Sequence, residues 1–250
     1  MNWSLMAEAF PRLLEGAGLT LQLTLMSLVA GFILALPLSL LRTSSSPLLS
    51  WPVQTYTFVF RGTPLLVQLF LIYYGAGQID WIRATPAWFL LRDPYWCALV
   101  AFSLNNAAYT VEILRGGIRA VPAGEVEAAK ALGMPYQLRM RRIVLPAALR
   151  IAMPAYANEV VLMLKASSLA SIITLMEITG TARKIVSESF SPYEVFISAA
   201  LIYLALTFAI VRLFRYLEYR NSAHRRRPPA EIPSPPTRVA RRAFATVQAS

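Results

Sequence analysis

The sequence predicts an all-α, polytopic membrane protein with about five transmembrane helices, and three observations predict it. Of its 250 residues 56% are hydrophobic and only 15% charged, more apolar than a soluble domain requires. The apolar residues gather into five runs, each near the length of about 20 residues that crosses a bilayer. The basic excess, 24 Lys and Arg against 13 Asp and Glu, is concentrated in alternate loops. That placement is the positive-inside bias of a membrane protein and not the footprint of a nucleic-acid binder.

In chain order, residues 1–18 form a short mixed segment with Glu8, Arg12 and Glu15. It lacks a basic start followed by a small-residue cleavage site, so it does not read as a removable signal peptide. The apolar runs are Leu19–Leu41, Tyr56–Tyr74, Tyr95–Ile113, Ile151–Leu175 and Val195–Phe214. Residues 19–218 therefore make one membrane domain, and residues 219–250 a basic tail rich in Pro and Arg. The tail offers too little apolar surface to fold alone, so disorder is expected there. Five crossings put the termini on opposite sides. The loop spanning 115–150 holds Arg115, Arg119, Lys130, Arg139, Arg141, Arg142 and Arg150, and the chain end holds Arg212, Arg215, Arg220 and Arg225–Arg227. The alternate loops, with Asp80, Arg83, Arg92 and Asp93, then Glu177, Arg183, Lys184, Glu188 and Glu194, are balanced. The 115–150 loop and the C-terminus are thus expected in the cytoplasm and the N-terminus outside.

The loop itself carries the sharpest pattern. Pro122, Ala123 and Gly124 make a turn, and Glu125 and Glu127 suit the first turn of a helix. Ala128, Ala129, Ala131 and Leu132 continue it, and Gly133 sits where a left-handed stop residue belongs. Pro135 opens a second short helix, which Pro146 is expected to stop. A small-residue helix projecting from a membrane protein suits a groove on a soluble partner.

Glu127-Ala128-Ala129, Gly133, Ile143 and Leu145-Pro146, at their spacings, resemble the EAA loop of ABC-importer permease subunits. The segments TFVFRGTPLLVQLFLIYYG, SLNNAAYTVEILRGGIRAVP and LPAALRIAMPAYANEVVLMLKASSLASIITLMEI are similar to permeases of polar amino acid importers. Among these the likeness is to the M-type subunits of histidine, arginine and ornithine importers and of opine importers for octopine and nopaline, over roughly Leu19–Glu218. The resemblance implies the type I importer permease fold, with the loop as a coupling helix docked on a separate ATPase. It implies two cytoplasmic ATP-binding subunits carrying ATP and Mg, a second permease (a Q-type relative or a second copy) and an external binding protein for the amino acid. The setting would be the bacterial inner membrane, in contact with its lipid.

Polar residues inside the spans are the candidates for a substrate pathway, because hydrocarbon tolerates them only against protein or water. Asn105, Tyr109 and Glu112, spaced by four and three, form one helical stripe, either lining a path or joining helices. Glu112 also has Arg115 and Arg119 within reach as partners. Asn158, Glu159, Lys165 and Ser168 lie in the fourth span; Glu159 and Lys165, six apart, point about 120° from one another and cannot pair within the helix. Glu159 therefore needs Arg61, another helix or the substrate. In the second span Thr63 reads as an N-cap and Pro64 as a first helical residue. The span is then either discontinuous, with Gly62, Thr63 and Gln68 as candidates for receiving a substrate carboxylate, or kinked at the proline with Arg61 snorkelling to the cytoplasmic interface.

No P-loop pattern occurs, so the chain is not expected to hydrolyse ATP and is read as a transport subunit and not an enzyme. Cys97 alone and His224 alone exclude a disulfide framework and a His- or Cys-based metal site. The function expected is a permease for polar, in particular basic, amino acids or opines. The alternatives are a permease for neutral or acidic amino acids, an ATP-independent secondary transporter, and a membrane-tethered nucleic-acid binder using the arginine tail.

Overall fold

In a computed structural model of the chain, residues 3–222 are described; the tail for which disorder was expected lies largely outside them. Helices account for nearly all described residues, and there is no strand among them. Four are long and apolar enough to cross a membrane: α1 (Trp3–Arg42), α6 (Pro94–Arg119), the continuous run Tyr136–Ile173, and α11 (Pro192–Ser222). A bent pair, α2 (Pro47–Gly62) and the segment from Leu65 to Gln78, is apolar enough to count as a fifth where its two arms form one broken span. The latter begins as α3 (Leu65–Phe70) and ends in a π turn and a 3-10 turn. Two short helices, α4 (Asp80–Arg83) and α5 (Trp88–Leu91), lead into α6.

The first helix is longer than its apolar run. It is already helical at Trp3, so residues 3–18 are no separate segment. Glu8, Arg12 and Glu15 fall on one stripe while Ala9, Leu13 and Ala17 are buried on another, the amphipathic spacing of a helix packed on one side. That buried stripe meets α10 (Ile178–Ser189) and the start of α11 through Ile178, Ala182, Ile185, Val195 and Ala199. Arg12 reaches Glu188 at 3.0 Å and holds its carboxyl below the usual carboxylate range. Both side chains are solvent-exposed, so the pair adds little stability.

Pro146 does not stop a helix, contrary to expectation. The short helix α8 (Tyr136–Arg139) passes through a π turn at Met140–Val144 into α9 (Leu145–Ala166), which carries Pro146 in its first turn. The Leu145 N–H bonds to the Met140 carbonyl, five residues back. This shift of register absorbs the hydrogen bond that proline cannot make, so the helix runs on instead of breaking.

Core packing centres on α6, whose Cys97, Ala98, Ala101, Phe102, Ala107 and Ala108 are fully buried. Phe102 packs with Leu23 and Leu28 of α1, Leu69 of α3 and Val160 and Met163 of α9. Small residues set the approach of the helices: a Cβ on Gly117 would lie 2.6 Å from the Ala148 carbonyl oxygen of α9. Without a water-driven force between spans, such close backbone contact is what holds helices together in lipid. Gly117→Ala is therefore expected to push α6 from α9 and cost about 1–3 kcal/mol, read as a lower thermal midpoint of the detergent-purified protein. An unchanged midpoint would mean that this contact does not set the packing.

Candidate functional site

The break in the second span follows from local backbone chemistry. Pro64 supplies no N–H and biases Thr63 to an extended conformation (φ −114°, ψ 144°), so α2 ends at Gly62 and α3 leaves at 103°. Thr63 is thus the C-terminal cap of α2, and Pro64, not Thr63, occupies the N-cap position of α3. The carbonyls freed at the end of α2 find side-chain partners. Gln68 Nε2 donates to Phe60 O at 2.8 Å, Thr63 O at 3.1 Å and Thr63 Oγ1 at 2.8 Å. Thr63 Oγ1 in turn donates to Val59 O at 2.8 Å. Asn105 Nδ2 of α6 donates to Gln68 Oε1 at 3.0 Å and to Phe60 O at 3.3 Å. Two amide side chains therefore tie the bend to the most buried helix, and both are buried.

The predicted stripe on α6 shares a face, and that face lies against α2. One turn beyond Asn105, the Tyr109 ring carries the Arg61 guanidinium 5.2 Å from its centroid, a cation–π contact. One turn further, Glu112 accepts from Arg115 Nε at 2.6 Å and Thr57 Oγ1 at 3.2 Å, with Arg42 Nε at 3.4 Å. Two guanidiniums thus neutralise one carboxylate and join the end of α1 to α2 and α6. Beside them is a cavity of about 360 Å³ lined by Arg42, Gln54, Thr57, Phe58, Arg61, Gly62 and Glu112. It brings Gly62 and Glu112 to one space.

The four candidates of the fourth span, three on α9 and Ser168 in the 3-10 turn after it, do not stay together. Asn158 and Lys165 are exposed, Ser168 is half-buried with its hydroxyl donating to Lys165 O at 2.7 Å, and Glu159 is buried. The partner that Glu159 requires is on another helix: Asn106 Nδ2 of α6 lies 3.5 Å from Glu159 Oε1. Asn106 is fully buried and takes Thr110 Oγ1 on its own oxygen at 3.5 Å. Sequence reasoning passed over Asn106, although Ser103, Asn106 and Thr110 are spaced by three and four and form a second polar stripe beside the first.

Glu177 was also missed, being read only as one of several loop charges. It is wholly buried. As N-cap of α10 it accepts from Gly180 N at 2.8 Å and Thr179 N at 3.0 Å. Tyr203 of α11 donates to it at 2.7 Å, and Thr20 of α1 lies at 3.5 Å. One carboxylate so ties three helices. The available signal was the amphipathic spacing of Ile178, Ala182 and Ile185 directly after it.

The elbow of the 115–150 loop forms its glycine stop as predicted, but Ala123 and Gly124, expected in a turn, already lie in the helix, with Pro122 as its N-cap. The helix α7 (Ala123–Ala131) ends with Gly133 at φ +73°. The Gly133 N–H bonds to Lys130 O at 2.9 Å and the Met134 N–H to Ala129 O at 3.1 Å, the paired bonds of a left-handed helix stop. Glu127, Ala128 and Gly133 are exposed while Ala129 is buried. Leu132 and Tyr136, 80% and 60% exposed, stand at the tip; Arg139 stacks on Tyr136 and donates to Met134 O at 3.3 Å. Ile143, Leu145 and Pro146 are half-buried around the π turn. Next to them Val144 and Ala148 pack with Val121, fastening the elbow to α6 and α9.

Comparison with known proteins agrees with this geometry. Residues 27–222 match the family described as "Binding-protein-dependent transport system inner membrane component". The chain is 50% identical over 220 residues to the octopine transport system permease protein OccM of Rhizobium meliloti, covering 88% of this chain and 90% of that protein. It is 47% identical to the nopaline transport system permease protein NocM of Agrobacterium fabrum, covering 90% and 94%. To the histidine/lysine/arginine/ornithine transport system permease protein HisM of Escherichia coli K12 it is 42% identical, covering 84% and 88%. Among solved structures it superposes on an amino acid ABC transporter crystallised with histidines, at TM-score 0.79 and 33% identity, covering 88% of this chain and 99% of that one. The MetNI methionine ABC transporter shares the fold at TM-score 0.66 and 18% identity, covering 84% and 95%.

The amide staple yields a test. Gln68→Leu leaves buried carbonyls without donors and is expected to cost about 1–3 kcal/mol. Because Asn105 acts in the same network, Gln68→Leu with Asn105→Leu should cost less than the two added. Thermal melts of the purified single and double variants measure this, and strict additivity would disprove the shared network.

Proposed function

The chain belongs to the binding-protein-dependent transport system inner membrane components, and from that premise we propose how it works as the permease of an ATP-driven importer for amino acids or opines. It is a multi-span inner-membrane protein and a transport component, not itself an enzyme. ATP and Mg are bound by two cytoplasmic ATPase subunits. A second permease, a Q-type relative or a second copy, closes the pathway, and an external binding protein delivers the substrate. The C-terminus is cytoplasmic and the N-terminus outside, as the arginine-rich loops favour.

The observation that carries this reading is the exposed elbow. Glu127, Ala128 and the apolar tip at Leu132 and Tyr136 are open to a partner, while Ala129 and the π-turn residues root the same segment in α6 and α9. A push on the tip is passed to α9 without a flexible joint, because the helix runs unbroken from Tyr136 to Ile173. Closure of the ATPase pair moves the elbows, the spans open outward to accept substrate, and hydrolysis restores the inward-facing state. Ile143, Leu145 and Pro146 lie where that motion enters the membrane helix.

The substrate path runs past the break in the second span. Gly62 lines the cavity, and Thr63, Gln68 and Asn105 hold the bend beside it, their polar atoms already engaged there. Arg61, held on Tyr109, receives the substrate carboxylate, and Glu159 attracts the ammonium or guanidinium of a basic substrate. Arg61 and Glu159 thus offer opposite charges to a zwitterion. Asn158 directly precedes Glu159, Lys165 lies further along the same helix and Ser168 in the 3-10 turn that follows, and Glu112 guards the end nearer the elbow. A basic amino acid or an opine with a guanidinium fits this pairing of charges.

Two measurements test the proposal in the complex reconstituted with its ATPase and binding protein. Gly133→Val forces a β-branched residue into a left-handed conformation, at about 1–2 kcal/mol, and should abolish substrate uptake while membrane insertion and basal ATP hydrolysis persist. Normal uptake by that variant would sink the coupling role. Glu159→Gln should raise KM for a cationic amino acid roughly tenfold or more, equivalent to about 1.4 kcal/mol, and leave a neutral one little changed. Equal effects on both would remove Glu159 from recognition.

A further inference from the structure

The hydrogen bond that reaches Glu159 is shaped by three helices, and one of its parts is a missing side chain. Leu23 and Leu28 of α1 cluster with Phe102 of α6, and Ala35 further along α1 clusters with Ala107 and Val111, so the two helices run parallel. Between those levels Gly31 of α1 faces Asn106 of α6, and both are buried. A Cβ at position 31 would overlap Asn106 Oδ1 and lie 3.0 Å from the Asn106 Cβ and Cγ. The third helix, α9, joins at the same level. Its Tyr156, one turn before Glu159, meets Phe32 with ring centroids 5.6 Å apart.

The Asn106 amide is therefore placed by shape as much as by bonding. Its Nδ2 reaches Glu159 Oε1 at 3.5 Å, and Thr110 Oγ1 reaches its oxygen at 3.5 Å. Both contacts are long, so neither pins the amide by itself. The notch at Gly31 gives the amide its seat, since any larger residue there would stand in the same space.

A second observation shows where a displaced amide would turn. Ser103, one turn before Asn106, and Ser27, one turn before Gly31, are buried, and among the described residues their hydroxyls have no hydrogen-bond partner. A buried donor takes whichever acceptor it can reach, because leaving it unpaired is costly. An amide driven out of the notch would thus exchange the carboxylate for a serine hydroxyl. Glu159 would then lose the one hydrogen bond that it receives among the described residues.

We propose that Gly31 is a specificity-determining position of this permease: its missing Cβ seats Asn106, and Asn106 orients the Glu159 carboxylate for the cation of a substrate. Gly31 and Asn106 are positioning residues, acting through Glu159 and not by touching the substrate themselves. One carboxylate oxygen is held by the amide, and the other is left for the incoming ammonium or guanidinium. A recognising group needs such support, since its geometry must hold to a fraction of an ångström. The inference rests on the reading of Glu159 given above.

Arginine uptake by the complex reconstituted with its ATPase and binding protein tests it through a double-mutant cycle. Gly31→Ala should raise KM for arginine about tenfold while kcat stays within about twofold, the pattern of a lost binding contact. Asn106→Ala, which leaves the notch empty, should raise it as much, even where Gly31→Ala fails to assemble. In a Glu159→Gln background either substitution should add nothing, because the carboxylate that they orient is gone. Gly31→Ala combined with Asn106→Ala relieves the crowding, so the thermal midpoint should recover while KM stays high. An equal rise of KM with and without the Glu159 carboxylate would overturn the proposal, since packing alone would then be at work. A wild-type KM in Gly31→Ala or Asn106→Ala, beside a raised one in Glu159→Gln, would also overturn it and leave Glu159 in its role. An unchanged KM in Glu159→Gln would instead remove that role, and this inference with it.

Discussion

In hydrocarbon no backbone N–H or C=O can turn to water, so every departure from continuous helix must be satisfied by protein. That constraint governs the turn at Pro64. A proline and an extended threonine open the chain by 103°, and the amides of Gln68 and Asn105 answer the carbonyls so released. The bend is consequently rigid and anchored to α6, where Arg61 and Gly62 are placed at the rim of the polar cavity. A simple proline kink would have left those groups on the outside of a continuous rod. Here they are carried by a corner.

The same economy applies to buried charge, which is costly unless each lone pair is met. Three carboxylates meet the demand differently. Glu112 is flanked by Arg42 and Arg115, so it is neutralised in place. Glu177 is met by two backbone N–H groups and a phenol and acts as a fixed rivet between α1, α10 and α11. Among the described residues Glu159 has one hydrogen-bond contact, a long one from Asn106. That leaves it the least satisfied of the three carboxylates.

Coupling depends on stiffness in one place and freedom in another. The π turn before Pro146 keeps the helix continuous, so a displacement of the elbow is not lost at a proline joint. Gly117 against Ala148 then joins α6 to α9 by close backbone approach. Small residues at this junction are useful for the same reason they are vulnerable. There is no side chain to deform, and any added atom separates the helices.

The sequence by itself determined the membrane-spanning α-fold, the candidate break at Thr63-Pro64 and the glycine stop of the elbow. Each of these is encoded within a few neighbours: a run of apolar residues, an imino ring, a missing Cβ. It also placed Asn105, Tyr109 and Glu112 on one face, because helical period is local. Only the tertiary structure decided what that face meets, since α2 lies against it after a chain reversal that no spacing records. The same holds for Asn106 with Glu159, 53 residues apart, and for Thr20 with Glu177, 157 apart. Pro146 shows the limit from the other side: a local rule predicted a stop, and a one-residue shift to a hydrogen bond five residues back, beside the packed Val144 and Ala148, carried the helix through. Local rules describe what a residue prefers, whereas the partner of a buried polar group is chosen by whichever helix the fold brings beside it.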